Sequence, residues 1–213
     1  MHPLRTAALL VALLPALAVG QALKLADARR ALAAPAAEAR MAGVERLGEI
    51  GTMADADRLV ERLADDDDDV RERASVAMWL IWSRSGDAAI DALFKRGVAE
   101  MQQVRLEAAL ATFSEIIRRK PEFAEGWNKR ATIYFLLGRH AESLRDCAEV
   151  IKRNPNHFGA LSGYAQIYIA LGDPERALAW YLRALKINPN LPNADAAVRL
   201  LEEQVAARRR STT

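Results

Sequence analysis

A thiol, an imidazole and a carboxylate stand close together in the stretch RHAESLRDCAEVIKRNP, residues 139–155. Cys147 is the only cysteine of the chain, Asp146 precedes it, and His140 lies seven residues upstream. A nucleophilic thiol needs a base within about 3 Å, whereas seven residues of helix separate two Cα atoms by about 10 Å. The spacing therefore favours a packed thiol over a Cys/His pair. We predict no catalytic residue and no enzyme activity.

The remaining ionisable clusters do not have the pattern of a metal site. His140 and His157 lack a second His or Cys at a ligand spacing such as i+4. The aspartate run at residues 65–69 lacks the central Gly and the closing Glu of a calcium loop. Aspartates just before a helix satisfy its first N–H groups and suit its dipole, so we interpret this run as the cap of a helix that begins near Val70. We predict no metal and no cofactor.

The composition is that of a helical protein without a strong electric field. Hydrophobic residues make up 51% of the 213 residues and aromatic residues only 6%, and Ala and Leu dominate the apolar set. Thirty basic and 28 acidic side chains leave a net charge of +2. We therefore expect an all-α fold and no nucleic-acid partner.

The N-terminus, MHPLRTAALLVALLPALAVGQA, has the pattern of a secretory signal peptide. A basic residue, Arg5, precedes an apolar run at residues 6–19, and small residues follow. We predict cleavage of residues 1–20, with cuts after Ala18 or Ala22 as alternatives. An uncleaved anchor is the other possibility, but the run is shorter than the roughly 20 residues that span a bilayer. Frequent Arg and Ala indicate a GC-rich bacterium, and we expect a periplasmic protein with no membrane span after cleavage.

An internal period organises the second half of the chain. At an offset of 34 residues, prolines, turn glycines and small helix residues each fall into a column, as at Pro121, Pro155 and Pro189. Cys147 falls in the column of Phe113 and Tyr181, which is a packed position of a second helix. The period predicts three helical hairpins at about 90–123, 124–157 and 158–191.

These hairpins resemble the tetratricopeptide repeat. The segments WNKRATIYFLLGRHAESLRDCAEVIKRNP and LSGYAQIYIALGDPERALAWYLRALKINP carry its Trp/Leu, small residue, Tyr, turn Gly and closing Pro. The first hairpin departs from the pattern, with Glu100 and Val104 where the Tyr and the Gly stand. The phrases FAEGWNKRATIYFLLGRHAES and HFGALSGYAQIY also look like small exported tetratricopeptide proteins of alphaproteobacteria.

Upstream, the segments ARMAGVERLGEIG and VRERASVAMWLIW align at an offset of 31 residues and resemble short bacterial HEAT repeats. The resulting domain plan has a signal peptide at 1–20, HEAT-like repeats at 21–86, three tetratricopeptide repeats at 87–190, and a capping helix with a basic tail at 191–213. These units should form a right-handed α-solenoid, stacked without a flexible linker.

The resemblance implies a peptide-binding groove, because the first helices of tetratricopeptide repeats line a concave face. The positions it implies here are Asn128, Lys129, Thr132, Phe135, Ser162, Gln166 and Ile169. Asn128 and Thr132 stand where the carboxylate clamp of chaperone-binding members needs a Lys and an Asn, so we do not expect recognition of a free C-terminal carboxylate.

We thus expect a non-catalytic scaffold or adaptor that binds a protein or peptide of the cell envelope. Two alternatives remain: a self-associating structural module, and an accessory subunit of an enzyme. The identity of the partner and the oligomeric state do not follow from these residues.

Overall fold

The structure is a computed structural model that describes residues 22–211, so the predicted signal peptide at residues 1–20 lies outside the described residues. The described residues form eleven α-helices and one short 3-10 turn at Met53–Asp55, with no strand among them. The helices are α1 Leu25–Ala31, α2 Ala37–Ile50, α3 Ala56–Arg62, α4 Asp68–Trp82, α5 Ala88–Gln102, α6 Leu106–Arg119, α7 Ala124–Leu136, α8 His140–Arg153, α9 Phe158–Ala170, α10 Pro174–Ile187 and α11 Ala194–Ser211.

Side chains just before several helices cap their N-termini by accepting hydrogen bonds from the first backbone N–H groups. Asp67 accepts a hydrogen bond from the Val70 N–H at 3.1 Å, which confirms the capping interpretation for this member of the aspartate run. Asp65 has another role, because it forms a buried ion pair with Arg40 at 2.7 Å. Asp173 caps α10, where proline fills the first helical position.

The second half stacks as the period predicts. Helices α5 and α6, α7 and α8, and α9 and α10 form three antiparallel hairpins, and α11 packs on α10. Small residues stand where helices approach closely: a Cβ on Gly97 would lie 2.7 Å from the Phe113 ring. In the next repeat the same two columns hold Ala131 and Cys147, and both are buried in one cluster.

The turn within each hairpin requires a left-handed residue. Gly138 and Gly172 supply it with φ values of 72° and 71°. Val104 occupies the equivalent turn of the first repeat with φ of 58°, although a β-branched residue is strained there. The departure from the repeat pattern at this position therefore changes the residue but not the backbone.

The N-terminal helices α1 to α4 do not continue the stack in the way we expected. Their core extends to Phe158 at the start of α9, and Ile187 and Leu191 pack against it. The helix α5 packs instead on α6 and α7. The physical reason is that the large rings of Trp79 and Trp82 on α4 need apolar cover, which α9 provides.

Polar contacts fix this arrangement at a second place. Asn188 donates to the Ser75 hydroxyl at 3.3 Å, and Asn190 donates to the Leu63 carbonyl at 2.7 Å while accepting from Arg71 at 3.0 Å. The segment that follows α10 is thereby joined to α3 and α4. The N-terminal hairpins consequently lie against the face formed by the first helices of the repeats.

Candidate functional site

A cavity of about 450 Å³ lies on this inner face, between α7, α9 and α4. Six of the seven residues predicted for the groove line it: Asn128, Lys129, Thr132, Phe135, Ser162 and Gln166. Ile169 does not; its side chain is 45% exposed and lies outside the lining, so its assignment to the groove is not supported by the structure.

Asn128 is a structural residue as much as a surface one. It is buried, and its amide donates to both carboxylate oxygens of Glu125 at 3.1 Å. Glu125 is itself buried and lies 2.8 Å from the Nε2 atom of His157. The Nδ1 atom of His157 accepts from the Ala160 N–H at 3.1 Å, so Nε2–H is the group of this ring that donates to Glu125.

The charge of Glu125 is held in the folded protein by its neighbours. Burial alone raises the pKa of this carboxyl, but the hydrogen bond from His157 and the ammonium of Lys129 outweigh burial and lower the pKa. The Nζ atom of Lys129 lies 3.0 Å from Glu125 and 5.5 Å from the centre of the Trp79 ring. Lys129 therefore compensates a buried carboxylate, which the sequence pattern did not indicate.

Two hydroxyl groups and one amide give the cavity a neutral polar rim. Thr132 donates to the Asn128 carbonyl at 3.0 Å, and Ser162 donates to the Phe158 carbonyl at 2.8 Å. Both oxygens keep lone pairs that can accept further hydrogen bonds. Gln166 is exposed and lies beside the Tyr181 hydroxyl. This rim can bind peptide N–H and C=O groups without a net charge.

Cys147 lies in the wall of the same cavity, but it is not a nucleophile. Its side chain is 2% exposed, and burial together with Asp146 raises the pKa of the thiol to about 12. A thiol in this state is protonated at neutral pH. Asp146 is engaged by Arg130 at 2.7 Å, and the ring of His140 lies beside that of Phe135. Within residues 22–211 no group of three or more His, Cys, Asp or Glu is placed to hold a metal ion.

Parts of the wall come from outside the repeats. Ser75 and Trp79 of α4 close one side, and Leu191 and Pro192 close another. Gly159 makes the approach of α4 possible, because a Cβ at that position would collide with the Trp79 ring. Sequence reasoning missed these residues, since none of them shares a repeat column with its partner. The only available signal was the pair of tryptophans three residues apart on α4.

Comparison with known proteins places this fold in a family. Tetratricopeptide repeat family models match residues 46–122, 94–151 and 134–205, which together cover about three quarters of the chain. The first of these ranges overlaps the segment that we interpreted as HEAT-like, and that interpretation stays a prediction. A TPR repeat-containing protein of Rhizobium etli is 39% identical over 67 residues, which are 32% of this chain and 33% of that protein. The chain thus matches about a third of the length of this curated relative.

Solved structures share the fold at low sequence identity. The first TPR of Spaghetti (RPAP3) bound to the HSP90 peptide SRMEEVD is 24% identical with a TM-score of 0.53, covering 55% of this chain and 93% of that one. The MamA protein is 16% identical with a TM-score of 0.52, covering 75% and 88%. The three hairpins, their columns and these matches agree, and the chain belongs to the tetratricopeptide repeat family.

Proposed function

We propose that this protein is a non-catalytic scaffold or adaptor of the bacterial periplasm, which holds a peptide segment of a cell-envelope partner on its concave face. Tetratricopeptide domains are in general protein-binding scaffolds, and a structural neighbour is bound to a peptide. The observation that carries the proposal is the convergence of six side chains, predicted from the repeat register alone, on one cavity of about 450 Å³.

The geometry favours a short ligand over a long extended one. Trp79 on one side, and Leu191 and Pro192 on another, occupy space that an extended peptide would need. The walls are mixed, with apolar groups such as Phe135 beside the neutral polar rim. The charge of Lys129 is compensated by Glu125. We therefore infer a short uncharged segment that inserts one large apolar side chain.

A site-specific crosslink tests this proposal. A photoreactive amino acid replaces Gln166 in one variant and the exposed Leu182 on α10 in a second, and both are expressed in the native host. We expect an adduct from position 166 that position 182 does not form, with a short apolar segment as the crosslinked part of the partner. Equal adducts from both positions, or none from 166, would reject the concave site.

Substitutions measure the same interaction in solution. Gln166→Ala should weaken binding of the crosslinked segment about tenfold without a change in the melting temperature, because this side chain is exposed. Asn128→Ala is unsuitable as a pure binding probe, because it removes two hydrogen bonds from the buried Glu125. It should lower both affinity and stability.

Self-association is separated from peptide binding by light scattering. The processed protein should be monomeric, and Phe135→Ala should leave the oligomeric state measured by light scattering unchanged. A dimer that this substitution abolishes would identify a second copy as the occupant of the groove.

The periplasmic location rests on the N-terminal sequence. No helix of residues 22–211 is long and apolar enough to cross a membrane. N-terminal sequencing of the protein from a periplasmic fraction should begin near Gln21. A full-length chain in the cytoplasmic fraction would contradict export.

A further inference from the structure

A second cavity, of about 290 Å³, lies where the C-terminal end of α4 meets the α6–α7 turn and the end of α8. Its lining includes Trp82, Arg84, Lys120, Phe123, Arg153 and Asn154. It shares no lining residue with the concave cavity. It is therefore a separate site, and nothing in the proposed function uses it.

Two buried hydrogen-bond donors belong to this lining and have no partner in the described part of the chain. They are the Nε1–H of Trp82 and the Nδ2–H₂ of Asn154, on side chains of residues that are 3% and 6% exposed. A buried donor without an acceptor destabilises the fold, because it has given up its hydrogen bonds to water and gained none in return. Two such groups in the lining of one cavity indicate that an acceptor belongs there.

The equivalent asparagine of the next repeat shows what this position otherwise does. Asn188 lies 34 residues after Asn154 and is just as buried, but its amide donates to Ser75 and its carbonyl oxygen accepts from the Asn190 N–H at 3.0 Å. The amide N–H₂ group of this asparagine therefore has an acceptor within the protein in one repeat, at Asn188, and has none among the described residues in the other, at Asn154. The difference therefore lies in the site around Asn154.

The charges at the cavity favour an anion. Its two carboxylates are already compensated: Glu122 lies 3.6 Å from Lys120, and Glu125 lies 3.0 Å from Lys129. Arg153 is paired with Glu149.

Arg84 differs from these groups, since it donates to the carbonyls of Gly48 and Gly51 at 2.6 and 2.8 Å and has no carboxylate within ion-pair distance in the described residues. Burial accordingly lowers the pKa of its guanidinium, partly opposed by Asp91. One positive charge at this wall therefore has no ion-pair partner among the described residues, and Asp91 acts on it only at longer range.

We propose that this cavity binds an aliphatic carboxylate, of the kind carried by a glutamate side chain in a partner protein or by a small free organic acid. The two oxygens accept from Trp82 and Asn154, Arg84 compensates the charge, and the ring of Phe123 covers the methylene groups.

The indole N–H resonance of Trp82 reports on this contact in the full processed protein. It is one of four indole signals in a ¹H–¹⁵N spectrum and is identified by its absence from Trp82→Phe. N-acetylglutamate N-methylamide should shift it downfield and saturate, because the N–H gains an acceptor. The neutral glutamine analogue should not.

Two further probes separate the sources of the ligand. Propionate that binds as tightly as the glutamate derivative would identify a free acid, whereas tighter binding of the derivative would identify a protein side chain. A saturating shift with inorganic phosphate and with none of the carboxylates would overturn the proposal. The absence of a shift with every probe at millimolar concentration would also overturn it and leave water as the occupant.

A matched pair of variants isolates the donor. Asn154→Ala should lower the affinity for the glutamate derivative about tenfold or more, since a charge-assisted hydrogen bond is lost. Asn188→Ala should lower the melting temperature but keep the affinity. Asn154→Asp serves as a second variant of equal size, and its repulsion should abolish binding. Unchanged affinity in both Asn154 variants would contradict the site, and Gln166→Ala should not affect it.

Discussion

The indole ring of Trp82 stacks on the imidazole of His157, with 4.2 Å between ring centroids and an interplanar angle of 18°. This contact joins α4 to the N-terminus of α9. His157 in turn holds Glu125 of α7, so one tryptophan covers a buried polar pair that links α7 to the start of α9. The N-terminal hairpins and the repeat stack should therefore unfold together.

Removing this ring should destabilise the whole described fold. Trp82→Ala should lower the free energy of unfolding by about 3–5 kcal/mol, because it leaves a large cavity and exposes the Glu125–His157 pair to water. Urea unfolding followed by circular dichroism measures the loss. Leu182→Ala, at a side chain that is 49% exposed, is the control and should change stability by less than about 0.5 kcal/mol. A loss confined to the N-terminal hairpins would show that the two parts are independent.

Glu125 should make stability depend on acid pH. The pKa of its carboxyl is lowered in the fold, below its unfolded value of 4.5. The stabilisation is therefore complete above pH 4.5 and is lost as pH falls through the folded pKa. Glu125→Gln should cost about 3 kcal/mol at pH 7, because Lys129 loses its counter-ion and the buried network loses its charge. The difference in free energy of unfolding between this variant and the wild type should become smaller below pH 4. Glu122→Gln, the control, should have little effect on stability at any pH. A gap that is constant with pH would refute the role of the charge.

The turn at Val104 stores strain that glycine relieves. A β-branched residue at φ of 58° costs about 1–2 kcal/mol, and glycine recovers most of this at some cost in unfolded-state entropy. We expect Val104→Gly to stabilise the protein by about 1 kcal/mol in thermal unfolding. The reciprocal change Gly138→Val should destabilise it by a similar amount. Lower stability of Val104→Gly would show that the Val104 side chain, which is 75% exposed, makes a contact of its own.

Cys147 should make stability depend on alkaline pH. The pKa of its thiol is raised from 9.0 to about 12 by burial and Asp146. Above pH 9 the unfolded chain loses this proton and the folded protein keeps it, so the thiol's contribution falls between pH 9 and 12. Cys147→Ala should lower the free energy of unfolding by about 1–3 kcal/mol at pH 7, because packing is lost. The difference in stability between the variant and the wild type should become smaller as the pH rises above 9. Rapid alkylation of the native thiol at pH 8 would contradict its burial.

The register of the repeats was predictable because its contacts are local and recur. A small residue at Gly97 or Ala131 must face the second helix of its own hairpin, so the need returns every 34 residues and leaves a column in the sequence. The same columns identified Cys147 as packed and brought six groove positions to one cavity. Ile169 lies outside the lining of this cavity, because register gives a position on a helix, whereas the exposure of that position at the edge of α9 depends on what covers it.

The sequence by itself determined the helical class, the 34-residue hairpins and the helix that each groove residue occupies, since all of these follow from short-range packing. Only the tertiary structure decided that α4 turns back onto α9, that Asn190 reaches Leu63 across 127 residues, and that Lys129 compensates a buried Glu125. Contacts of this kind occur once and join unlike positions, so they leave no period to read. They arise because large apolar rings and buried charges must find cover somewhere in the folded chain.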